Sequence, residues 1–122
     1  MAKVVTCPQG GFFMHPHGPR TWDIFNEYTT QQTNAVVKRG DPAVRMFVTD
    51  IFVQANAAVT ITLFKGSAST SPILLRFIAG AQADGVARSY VVPKMVPPNT
   101  PITITTSGAV TVEIEVHGFL GP

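Results

Sequence analysis

The chain has 122 residues, 45% hydrophobic and 13% charged, with a net charge of +2 at neutral pH; its mean hydropathy is +0.22 and its pI about 9.0. This length supports one domain with a real core and excludes two, and the single cysteine, Cys7, excludes an internal disulfide or a multi-cysteine zinc centre. The basic residues are scattered, with Lys38 and Arg39 the one adjacent pair, which predicts no nucleic-acid partner; there is neither a signal-peptide pattern at the start nor a run of about 18 apolar residues anywhere, which predicts a soluble chain with no membrane partner that is not secreted by the general pathway.

In chain order, residues 1–42 differ in kind from the rest. They hold five of the eleven aromatics, Phe12, Phe13, Trp22, Phe25 and Tyr28, amid tight Gly and Pro punctuation, and they show no sustained alternation until "NAVVKRG". Residues 22–28 are too short for an amphipathic helix and lead into the polar tract "TTQQTN". Such a segment cannot build its own core, so its aromatics must bury against the rest of the domain or against another chain. We read it as an extended N-terminal arm with the first strands, preceding a core at residues 43–122.

From Ala43 onward, short Val, Ile, Thr and Phe runs alternate with Gly, Pro, Ser and Asn clusters, the spacing of an antiparallel sandwich or barrel. In "RMFVTDIFVQAN" the apolar parity switches between Met46/Val48 and Ile51/Val53, which predicts a bulge near Thr49 and Asp50 or burial on both faces. "AVTITLFKG" sets Val59, Ile61 and Leu63 on a core face and Thr60, Thr62 and Phe64 on one expected to be mostly wet. "PILLRFIAG" and "VARSYVV" read as a hairpin around Asp84 and Gly85. Pro93, Pro97, Pro98 and Pro101 mark an extended connection at the sandwich edge or end. "PITITT" and "AVTVEIEVHGF" read as a closing hairpin, whose last strand turns Val110, Val112, Ile114 and Val116 inward.

Two constellations carry candidate chemistry. His15 and His17 form an H-x-H pair, which with a third histidine and a carboxylate could bind a metal in a β barrel. The pair resembles the opening of the cupin metal motif, but Gly10 stands one residue too close to His15, Thr21 and Trp22 occupy the places of the motif's glutamate, and its second half is missing. Glu113, Glu115 and His117 share one strand face; two carboxylates so placed could serve acid/base chemistry, although catalytic pairs usually face each other across a cleft, and a solvated or edge-protecting row is the simpler reading. No G-x-S-x-G elbow or phosphate loop occurs. The residues therefore predict no enzyme, no catalytic or metal site and no cofactor.

"FVTDIFVQANAAVTITLFKGS" and "YVVPKMVPPNTPITITTSGAVTVEIEVHGF" together resemble small β-sandwich virion proteins of tailed bacteriophages, especially head decoration (cement) proteins. The resemblance spans residues 46–119. It implies an all-β fold, an antiparallel, jelly-roll-like sandwich that docks through a terminal arm. It further implies a structural role on the capsid exterior after assembly in the host cytoplasm, with self-association into a homodimer or homotrimer and a major capsid protein as partner. Phe12, Phe13, His15, His17 and Trp22 are the expected arm contacts. The alternatives are a glycan- or receptor-binding tail module stacking its ligand on Trp22 or Tyr90, and a cupin-like metal enzyme.

Overall fold

A computed structural model describes residues 20–121. Eight strands run β1 (Arg20–Tyr28), β2 (Ala35–Lys38), β3 (Arg45–Ala55), β4 (Val59–Lys65), β5 (Ile73–Ala79), β6 (Asp84–Val96), β7 (Ile102–Thr106) and β8 (Val112–Gly121). They form two four-stranded sheets with the orders β1-β8-β3-β6 and β2-β7-β4-β5. The antiparallel pairs β1–β8, β2–β7, β3–β6 and β4–β5 are nested one inside the next, as if one long hairpin had been rolled up. This is the eight-stranded jelly roll, and the expected all-β sandwich is observed. Of the segment 1–42 expected to hold the arm and the first strands, residues 1–19 lie outside the described residues.

Alternation builds the interior. Ile51, Val53 and Ala55 of β3 and Val112, Ile114 and Val116 of β8 face Val59, Ile61 and Leu63 of β4 and Ile102 and Ile104 of β7, all buried in one cluster. The parity switch in β3 is a bulge: register shifts between Val48 and Asp50 against both neighbours, so Met46 and Val48 are buried along with Ile51 and Val53.

The first strands expected within residues 1–42 include residues 20–28, and other expectations are corrected. The segment 20–28 is a strand, with Trp22, Ile24, Asn26 and Tyr28 half-buried and Thr21, Asp23, Phe25 and Glu27 exposed; Phe25 facing out and Asn26 facing in obscure its alternation. Neither expected hairpin forms. β5 pairs with β4 and β6 with β3, so Asp84 and Gly85 already belong to β6 and the loop at residues 80–83 connects the two sheets; likewise β7 pairs with β2 and β4, and the turn at Ser107 and Gly108 leads across to β8. The hairpin that does form is β4–β5, around residues 66–72. The second face of β4 is not wet, because Thr62 and Phe64 are buried too. Finally, β8 lies between β1 and β3, so of the two readings of the row Glu113, Glu115, His117 the edge-protecting one falls and the solvated one agrees with the exposure of Glu115 and His117.

Loops are tied across the sandwich end. Gln32 N donates to Thr106 Oγ1 at 2.8 Å and Thr106 N returns a bond to Gln32 O at 3.0 Å. Asn34, at φ 49°, donates its N–H to Thr105 Oγ1 at 3.0 Å; asparagine tolerates this left-handed conformation better than most residues. The polar tract "TTQQTN" is thereby fastened onto β7.

Candidate interaction surfaces

The register arranges the outer face of the β1-β8-β3-β6 sheet in five rows: Gly121, Arg45; Thr21, Phe119, Phe47, Met95; Asp23, His117, Asp50, Ser89; Phe25, Glu115, Phe52, Ala87; and Glu27, Glu113, Gln54, Gly85. Five of the protein's seven acidic residues, Asp23, Glu27, Asp50, Glu113 and Glu115, stand on this face, and the one lysine or arginine in its rows is Arg45, at the end away from Glu27 and Glu113. His117 Nε2 lies 3.3 Å from Glu115 Oε2. The Ser89 hydroxyl donates to Asp50 Oδ1. Chiefly through that bond, and with help from Thr49 and the nearby His117, Asp50 stays ionised below the ordinary carboxylate value of 3.8. The face is also apolar: Phe25 is 61% exposed, Phe52 is exposed on the other side of Glu115, and Phe47 and Phe119 stack with centroids 5.0 Å apart.

The opposite sheet presents a different surface. Val36, Ile73 and Ile78 are exposed there, Ile78 at 70%, among Thr60, Thr105 and Arg76. Arg76 Nε reaches Thr62 Oγ1 at 3.4 Å.

At the sheet edge, β6 carries a large bulge. Ser89 pairs with Asp50 and Lys94 with Val48, leaving residues 90–93 opposite Thr49 alone. Tyr90 turns inward against the core, and burial raises its phenol above 10.0. Val91 and Val92 project outward at 100% and 79% exposure. Pro93 sits inside this edge strand, where the absent N–H breaks no interior ladder.

Of the expected arm contacts, Phe12, Phe13, His15 and His17 lie outside the described residues. Trp22 is half-buried on the inner side of β1, against the core and over Gly118, and Lys38 Nζ stands 4.9 Å from its ring centroid. Its Nε1 is buried and bonds to nothing among the described residues. Tyr90 has Lys94 Nζ 5.2 Å from its ring centroid. Each ring thus packs inward and has an ammonium beside it, so neither offers the open platform that sugar stacking needs. The space between the sheets is filled by Met46, Ile61, Leu63, Ile104 and Ile114, and His117 faces away from it. Among the described residues, no group of three or more His, Cys, Asp or Glu side chains could hold a metal ion. The exposed Val91 and Val92 escaped sequence reading because "SYVVP" reads as an ordinary strand; the extra residues opposite Thr49 become visible only once β6 is aligned on β3.

No family model matches the chain, and no curated protein does. Similar solved structures include a chain of the virus-like particle of the extra small virus of the giant freshwater prawn Macrobrachium rosenbergii, 13% identical over 95% of this chain and 86% of that one, with a TM-score of 0.38. Another is a chain of infectious bursal disease virus, Gx strain, 12% identical over 93% of this chain and 36% of that one, with a TM-score of 0.35.

Proposed function

We propose that this chain is a non-enzymatic structural protein of a virus particle, of the capsid decoration or cement type, which self-associates and bridges capsomers on the particle exterior. The observation that carries this reading is the distribution of exposed apolar side chains: Phe25 and Phe52 on one sheet face, Val36, Ile73 and Ile78 on the other, and Val91 and Val92 at the edge. Apolar side chains that adjoin on a surface, as Val91 and Val92 do, point to a contact with another protein in a way that singly scattered ones do not. The jelly roll suits that role, being a frame that recurs in capsid proteins.

Mechanically, such a protein adds buried contact between capsomers, and many copies of a modest interface give collective strength. Phe12, Phe13, His15 and His17 supply the arm's contacts with the major capsid protein, and Trp22, packed over Gly118, anchors the strand from which the arm leaves. The test is deletion of residues 1–20 followed by co-sedimentation with purified particles. Loss of binding is expected; undiminished affinity of the truncated chain, or absence of the protein from particles, would sink the reading.

A further inference from the structure

Two surfaces of this one chain complement each other. The first is the β6 knob, whose apolar tip, Val91 and Val92, is held out by the inward anchor Tyr90 and flanked by exposed Arg88 and Lys94. No carboxylate occurs anywhere from residue 85 to residue 112. The second is the outer face of β1, β8 and β3, where Phe25 and Phe52 lie on either side of Glu115 and Glu27 stands directly opposite Glu113. Like charges directly opposite one another on a sheet are unfavourable, and neither the row of Glu27 and Glu113 nor the adjoining row of Phe25 and Glu115 holds a lysine or arginine to relieve them.

We propose that the β6 knob of one copy docks on the acidic, aromatic face of a second copy, with Val91 and Val92 against Phe25 and Phe52 and with Arg88 and Lys94 among the carboxylates. The inference deepens the self-association named above and rests on it. Because the two patches differ, each knob-to-face contact leaves one knob and one face to be filled, either reciprocally in a twofold pair, in a closed ring such as a trimer, or by propagation as a lattice. Opposite charges around an apolar centre set the register, and their attraction is screened by salt.

The test uses the full chain in sedimentation velocity across protein and salt concentration. Arg88→Glu with Lys94→Glu, and separately Glu27→Lys with Glu113→Lys, should each weaken self-association at least tenfold. All four changes in one chain should restore it to near the starting strength, because the reversed knob again meets a reversed face. Val92→Ser, at a side chain exposed enough to leave the fold intact, should also weaken association, and circular dichroism of every variant checks folding. If the parent chain associates and the reversals change nothing, or the fourfold variant fails to recover, this contact is overturned while self-association stands. A parent chain that stays monomeric at every concentration overturns the self-association reading and this contact with it.

Discussion

Gly118 breaks the inward row of β8 between Val116 and Leu120, and the indole of Trp22 fills the vacancy from the neighbouring strand. A Cβ at Gly118 would lie 2.6 Å from Trp22 Cζ2 and would also strike the Phe47 carbonyl oxygen. Gly118→Ala should therefore destabilise the chain by about 1–3 kcal/mol, the usual cost of overpacking, measured as a lower denaturant midpoint together with a shift in tryptophan emission; an unchanged midpoint would refute this packing. The gap in the row was legible in the sequence, but its occupant was not, because the partner strand lies at the other end of the chain. Asp50 gives a second test at this scale. Its folded pKa is depressed, so the stability it contributes is present above its ordinary value of 3.8 and is lost as pH falls through the lower folded value. Removing the main cause with Ser89→Ala should move the Asp50 titration upward and shrink the part of the acid-induced loss that this carboxyl contributes. Carboxyl NMR across pH 2 to 6, on the order of the carboxylate titration range, reads the shift directly.

At the scale of elements, alternation alone located most strands and their inward faces, including the bulge between Val48 and Asp50. It did not tell which strands are neighbours. A short turn holding a glycine suits a hairpin and also an arch from one sheet to the other, and nothing local to Asp84 and Gly85 or to Ser107 and Gly108 separates the two. The choice is made by distant partners: β8 pairs with β1 and β3, which leaves β7 to pair with β2 and β4. The burial of Phe64 on the second face of β4 was hidden for a related reason, since which side chains cover a sheet's outer face depends on strands brought in from elsewhere. This topology makes β7 a stringent position, with Ile102 and Ile104 fully buried in the middle of the sandwich. Ile104→Ala should cost about 2–5 kcal/mol, the range for truncating a core aliphatic side chain. By contrast Val91→Ser, at a side chain 100% exposed on the β6 bulge, should change stability by less than about 0.5 kcal/mol. Equal losses in chemical denaturation would contradict the placement of these two strands.

For the molecule as a whole, the nested pairing sets when the acidic outer face can exist. Arg20 pairs with Leu120 and Tyr28 with Val112, so β1 waits for the last strand of the chain, and β8 in turn supplies the middle of the β1-β8-β3-β6 sheet. Ordering so long an intervening loop costs entropy before its contacts repay it, which places all-β sandwiches among the slow two-state folders, at roughly milliseconds to seconds. The acidic outer face is shared by β1, β8 and β3, and therefore forms only in that late step, whereas β4 and β5 can pair through a short local loop at once. Trp22 is the protein's single tryptophan and sits in the β1–β8 pair, so its fluorescence reports on closure. In stopped-flow refolding the tryptophan signal should change in the millisecond-to-second range, with self-association measured by light scattering following it and never preceding it. Scattering that rises before the tryptophan phase would mean that chains associate through a surface formed earlier, and would separate assembly from the completed sandwich.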